Sequence, residues 1–87
     1  MEYKINRTGV ILLQILDNND ANSSISGFTI TDLMNALDGF GNPRNRMTIY
    51  RHLKCMTEAG FIAKGIPDNH ADTFYLLKKG KDLLKGE

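Results

Sequence analysis

Four basic side chains lie within eleven consecutive residues of this 87-residue chain: Arg44, Arg46, Arg51 and Lys54. No acidic residue occurs anywhere in residues 40–57. A guanidinium group donates paired hydrogen bonds to a guanine edge or a phosphate, whereas an ammonium group binds a phosphate as a point charge. These residue types therefore offer binding chemistry toward a polyanion.

Charge elsewhere in the chain is acidic or balanced, so the basic group is a local feature. Residues 1–39 contain two basic and five acidic side chains, residues 58–87 contain five of each, and the net charge is +1. A single basic region on a near-neutral chain predicts one binding face. The alternative is a solvated basic face without a ligand, although a face that serves only solubility usually mixes the two signs.

The basic residues belong to a segment that we predict as a helix over residues 43–59. Its apolar residues recur at helical intervals and share one face. They are Ile49, Leu53 and Met56. Asn42 and Pro43 suit the cap and the first position of this helix, and Gly60 suits its end.

The opposite face of the predicted helix carries five side chains at spacings of three and four, which we call the outer stripe. They are Arg44, Met47, Thr48, Arg51 and Lys54. A helix is ~10–12 Å across with its side chains and the major groove of DNA is ~12 Å wide, so this face can enter the groove. Arg51 or Arg44 would bond a guanine edge, and Thr48 would contact a thymine methyl group or a base edge.

Other side chains around the stripe are predicted to bind phosphates. They are Arg46, Tyr50 and Lys54 on the same helix, and Thr29 and Thr31 at the start of the preceding helix. Hydroxyl groups and backbone amides at a helix N-terminus are frequent phosphate ligands. His52, beside the core face, is expected to be a packed or solvent-edge residue, with a base contact as the alternative.

The remaining segments predict a single α+β domain that is mainly α. A Thr29 cap with Asp32 three residues later opens the second helix, which ends at Gly39. Two runs of β-branched and aromatic residues predict a two-stranded hairpin. The other predicted elements are a first helix over 4–17, one short strand within 25–28, hairpin strands at 61–66 and 72–77, and a closing helix over 78–86.

The segment TIYRHLKCMTEAGFI, residues 48–62, resembles the recognition helix of bacterial winged helix-turn-helix regulators of the PadR, MarR and Fur kinds. Their shared pattern is T-[VI]-Y-R-x-L, then Leu or Met, EAG and an apolar pair. The matching residues are Thr48, Ile49, Tyr50, Arg51, Leu53, Met56, Glu58, Ala59, Gly60, Phe61 and Ile62. FYLLKKGKDLL, residues 74–84, is similar to the Y-x-L-T-x-x-G-x-x-x-L ending of MarR and PadR wings, with Leu77 in place of the usual Thr.

The resemblance implies a winged-helix domain: a three-helix core, a two-stranded wing at residues 61–77 and a short C-terminal helix. It also implies a domain that reads the sequence of double-stranded DNA as a dimer. We expect a small cytoplasmic transcriptional regulator, most simply a repressor. The apolar stripe of the first helix is wider than a small monomer needs, so we expect a homodimer through that helix, with Phe40 as a second apolar contact. The His/Cys metal ligands of Fur are not present, since the chain has two histidines and one cysteine. We therefore expect no metal and no other cofactor.

The tip of the wing is acidic, with Asp68 and Asp72 around His70. The minor groove of DNA favours cationic side chains, so deep insertion of this tip is not expected. We predict that the wing contributes through Lys64 and His70.

Other functional classes find less support in the sequence. No nucleophile–base pair, glycine-rich phosphate loop or metal-ligand set occurs, so we do not expect an enzyme. The longest apolar run has four residues, and no signal peptide is indicated at residues 1–4. The serious alternative is a winged-helix module that binds proteins, or serves replication or a mobile element, without reading DNA sequence.

Overall fold

The computed structural model describes residues 4–86, so the first three residues, on which the signal-peptide expectation depends, lie outside it. Within residues 4–86, four helices and a three-stranded antiparallel sheet form the predicted α+β architecture. In chain order they are α1 (Arg7–Asn18), β1 (Phe28–Thr29), α2 (Ile30–Gly39), α3 (Arg46–Glu58), β2 (Ile62–Lys64), β3 (Thr73–Leu76) and α4 (Lys78–Gly86). In residues 4–86, no helix has the length and apolar character that crossing a membrane requires.

Helix α1 occupies the centre of the core. Its residues Leu12, Leu13, Ile15 and Leu16 are buried, and α1 contacts α2, α3, α4 and β3. Burying one such side chain contributes about 1.5–3 kcal/mol. Most of the apolar stripe that suggested a dimer through this helix is thus covered by the same chain, whereas Ile11 is only half-buried, and the dimer stays a prediction.

The start of α1 differs from the prediction. The helix begins at Arg7 and not at residue 4, because Asn6 caps it: the Asn6 side-chain oxygen accepts a hydrogen bond from the Gly9 amide at 3.0 Å.

Helix α2 confirms its predicted limits. The Thr29 hydroxyl accepts a hydrogen bond from the Asp32 amide, and the Thr29 amide donates to the Asp32 carboxylate, both at 3.1 Å. This reciprocal pair satisfies two amides that a helix start otherwise leaves without partners. Leu33 and Leu37 point into the core, and the helix ends at Gly39.

The predicted start of α3 was wrong by three residues. Asn45, and not Asn42, caps this helix, since its side-chain oxygen accepts a hydrogen bond from the Thr48 amide at 2.8 Å. Pro43 and Arg44 therefore lie before the helix.

The C-terminus of α3 confirms the prediction for Gly60. This glycine has a φ of +85°, in the left-handed region that glycine enters at no steric cost. The Gly60 amide donates to the Thr57 carbonyl and the Phe61 amide donates to the Met56 carbonyl, which closes the helix and turns the chain into the wing.

The sheet has the order β1–β3–β2, with β3 in the middle. Phe74 of β3 is paired with Phe28 on one side and Lys64 on the other. The predicted hairpin is confirmed. The predicted short strand is present but lies at Phe28–Thr29, overlapping the predicted 25–28 range only at Phe28, and it joins the hairpin in one sheet.

The junction between the wing and α4 is tightly packed at Gly80. A Cβ atom at this residue would lie 2.6 Å from the Phe61 carbonyl oxygen and 2.8 Å from the Leu76 Cδ1 atom. The same Phe61 oxygen accepts a hydrogen bond from the Leu77 amide at 3.0 Å. The glycine predicted from the wing-ending pattern is therefore required by backbone contact.

Candidate nucleic-acid interface

Helix α3 is oriented as its apolar spacing predicted. Ile49, Leu53 and Met56 are fully buried. The opposite face is open to solvent, with Met47 59% and Tyr50 46% exposed. Arg51 and Lys54 are exposed on the same face.

The outer stripe is only partly helical. Met47, Thr48, Arg51 and Lys54 lie on α3, and Thr48 is half-buried. Arg44 lies before the helix, with its guanidinium donating a hydrogen bond to the Pro43 carbonyl at 2.7 Å. Its side chain is therefore presented by the turn between α2 and α3 and not by the helix surface.

Arg46 connects the starts of α2 and α3. Its guanidinium donates a hydrogen bond to the Thr31 hydroxyl at 2.9 Å, and both residues are exposed. The structure thus brings together two residues that were predicted to bind phosphates. Thr29 has a competing role, because its hydroxyl and amide are engaged with Asp32, whose carboxylate lies at the same helix start.

Lys64 lies across a shallow concavity from α3. Its ammonium group is 3.4 Å from the Asp72 carboxylate, and Tyr50 and Lys54 of α3 line the same concavity. The sequence placed both Lys64 and the acidic tip in the wing but gave no sign that they would pair.

The end of α3 has an anchor that sequence reasoning missed. The Lys79 ammonium donates a hydrogen bond to the Ala59 carbonyl at 2.7 Å and lies 4.9 Å from the centroid of the Phe61 ring. A cation at a helix C-terminus stabilises the carbonyl groups there. This lysine comes twenty residues after the carbonyl that it binds, so no local pattern identifies it.

His52 lies on α3, and its pKa is shifted by its surroundings. Burial lowers the pKa of His52 below 6.5, and the nearby positive charge of Arg44 lowers it further. The residue is half-buried beside the core face, as expected.

The His52 environment predicts a pH-dependent stability. Because the unfolded chain binds the proton more readily than the folded chain, the free energy of unfolding should fall as the pH drops from about 6.5 toward the lowered pKa. Denaturant unfolding at pH ~7.5 and pH ~5.5 would measure this for wild type and His52→Gln. The variant should lose less stability between these pH values, and an equal loss in both proteins would contradict the prediction.

The fold of residues 4–86 and its exposed basic helix are those of the winged-helix class of domains. A MepR variant from S. aureus superimposes with a TM-score of 0.75 at 19% identity, over 94% of this chain and 55% of its own. The ferric uptake regulator of Vibrio cholerae has a TM-score of 0.70 at 18% identity, over 87% of this chain. The regulator of the same name from Pseudomonas aeruginosa, solved with manganese, has a TM-score of 0.69 at 26% identity, over 88% of this chain.

These similarities confirm the predicted winged-helix fold, while the particular family stays a prediction. The chain spans 55% of the length of each of these three proteins. No family model matches the chain, and no curated protein matches it. Among residues 4–86, no group of three or more His, Cys, Asp or Glu side chains is placed to hold a metal ion.

Proposed function

We propose that this chain is a small transcriptional regulator that binds double-stranded DNA sequence-specifically, with α3 in the major groove. The observation that carries the proposal is the exposed side of α3, where Arg51, Lys54 and Met47 stand opposite a fully buried apolar face. The structural similarity to regulators supports this proposal, and one of them, the V. cholerae ferric uptake regulator, has DNA-binding domains.

The contacts divide into reading and positioning groups. Arg51 and Thr48 would contact base edges, with Met47 against a thymine methyl group. Arg46 and Thr31, joined by their hydrogen bond, would hold a phosphate beside the groove. Arg44 would reach the duplex from the turn before α3, and Tyr50, Lys54, Lys64 and Thr29 complete the proposed positioning set.

We propose repression as the mode of action, because a protein that occupies a site on a duplex excludes other proteins from it. We also propose that this occurs in the cytoplasm. Two chains would bind together as a homodimer, which adds avidity. Helix α1 leaves Ile11 only half-buried, and Phe40 in the turn after α2 is exposed, so these are the two candidates for an apolar contact between chains.

Protein binding without DNA reading is the second candidate. Ile25 is 84% exposed and Ile66 is 59% exposed, and the Ile66 backbone amide donates to the Ser24 carbonyl, so the two segments that carry these residues adjoin. Such exposed apolar groups are typical of protein contacts when they form a larger patch.

Fluorescence anisotropy of a random duplex of about 30 base pairs, titrated at several salt concentrations between about 50 and 200 mM, tests the proposal. With about four to six phosphates neutralised per chain, the slope of log K against log salt should be roughly −4 to −5 for one chain and twice that for two. No binding at the lowest salt concentration would overturn DNA binding and favour the protein-binding candidate.

A further inference from the structure

The shallow concavity between α3 and the wing holds donors from both walls. Its lining consists of Tyr50, Lys54, Thr57 and Glu58 from α3, and Lys64 and Phe74 from the sheet. The Thr57 hydroxyl already donates to the Leu53 carbonyl at 2.7 Å, and Phe74 is buried. The donors that remain for a ligand are the Tyr50 hydroxyl and the two lysine ammonium groups.

These donors fit an anion that lies along α3. Tyr50 and Lys54 are one helical turn apart on α3, with Lys54 in the outer stripe, while Lys64 ends β2 on the opposite wall. Arg51 lies next to Tyr50 in the chain and faces solvent. A duplex whose base edges contact Arg51 would therefore bring its own phosphodiester backbone toward the mouth of the concavity.

One lysine of the pair is neutralised within the chain. The Lys64 ammonium is 3.4 Å from the Asp72 carboxylate, and the two side chains are 59% and 55% exposed. Glu58 supplies the carboxylate of the lining itself. The two lysine ammonium groups of the lining are therefore balanced by Glu58 and by the Asp72 carboxylate paired with Lys64, and this region is close to neutral before DNA binds.

We propose that a backbone phosphate of the bound duplex occupies this concavity on Lys54 and Lys64, and that Asp72 restrains DNA affinity by holding Lys64 in an ion pair. This inference rests on the proposed function. The phosphate and the Asp72 carboxylate compete for the same ammonium group. Asp72 thus sets the affinity of the site without touching DNA.

The solvent exposure of the Lys64–Asp72 ion pair determines how much DNA affinity should change when Asp72 is replaced. Exposed ion pairs contribute little and are readily exchanged, so a phosphate can displace Asp72. Removing the carboxylate also removes a like charge near the phosphate. Together these changes should tighten DNA binding of the Asp72→Asn variant by roughly threefold at low salt.

A double-mutant cycle tests the inference on the full chain, with dissociation constants from fluorescence anisotropy on the same duplex. The proteins are wild type, Asp72→Asn, Lys64→Ala and the double variant. Asp68→Asn is the matched control, because Asp68 lies on the same wing tip and its carboxylate forms no ion pair among residues 4–86. Thermal unfolding of each variant checks that it is folded.

Asp72→Asn should tighten binding while Asp68→Asn changes it much less. Lys64→Ala should weaken binding more in the Asp72→Asn background than in wild type, and there it should reduce the salt slope by about 0.9. Equal gains from Asp72→Asn and Asp68→Asn, or an equal effect of Lys64→Ala in both backgrounds, would overturn the inference while leaving DNA binding intact. If wild type binds no DNA, the proposed function fails and this inference fails with it.

Discussion

Replacing Arg51 with alanine should weaken binding to a specific DNA site by about 1–3 kcal/mol, or roughly 5- to 150-fold in Kd. A guanidinium group that bonds a guanine edge at two points discriminates strongly against other bases, so the variant should also tolerate substitution at one base pair. Arg51 is exposed and lies opposite the buried face of α3, so its removal should leave the fold intact. Anisotropy with a duplex selected by wild type from a random pool, and with its single-base variants, measures both effects.

Lys54→Ala provides the comparison for Arg51→Ala. Loss of a lysine that contacts phosphate weakens binding to all DNA sequences alike. This variant should therefore keep its base preferences, and its salt slope should become shallower by about 0.9. Lys85→Ala, on the exposed end of α4, controls for the loss of one positive charge. If Arg51→Ala and Lys54→Ala both fold and bind like wild type, α3 is not the reading element.

Replacing Gly80 with alanine should destabilise the fold by about 1–3 kcal/mol, the usual cost of inserting an extra methyl group into a packed site. The added Cβ would lie 2.6 Å from the Phe61 carbonyl oxygen, which is backbone and is already held by the Leu77 amide. Since the clash cannot be relieved by rotating a side chain alone, the wing and α4 must separate. Thermal and denaturant unfolding should show a Tm lower by roughly 5–20 °C.

Gly39→Ala is the matched control, because it makes the same change in another helix. A Cβ at Gly39 would meet no atom within 4 Å, so the substitution should be neutral or stabilise α2 by up to about 1 kcal/mol. Similar stability changes at Gly39 and Gly80 would show that the Phe61 contact does not limit the junction.

The parts of the fold that sequence predicted are those with local causes. Leu53 and its apolar neighbours on α3 are buried because their spacing matches the helical repeat. The Thr29–Asp32 capping pair is a contact between residues three apart, and Gly60 ends α3 because of its own backbone freedom.

The start of α3 shows where this reasoning fails. Asn42 and Asn45 are both good caps, and Pro43 favoured the first of them. In the structure the backbone amide of Asn42 donates a hydrogen bond to the Leu37 carbonyl at 3.0 Å, so residue 42 belongs to the turn that ends α2. The end of α2 therefore decides which asparagine caps α3, and this cannot be read from either asparagine alone.

The candidate site also has features that could be predicted from the sequence and features that could not. The exposed residues of α3 were predictable because they alternate with a core face along one helix. The Lys64–Asp72 ion pair and the Lys79–Ala59 hydrogen bond were not, because they join residues eight and twenty positions apart. Such contacts depend on strand register and on how α4 packs, which no single segment contains.

The position of β1 has a consequence for the whole candidate interface. Thr29 is paired with Thr73 in the sheet and is also the N-terminal cap of α2. Backbone hydrogen bonds therefore link the wing directly to the start of α2, where Thr31 binds Arg46 of α3. Because these contacts connect the wing to α2 and α2 to α3, we expect a displacement of the wing to shift the starts of both helices.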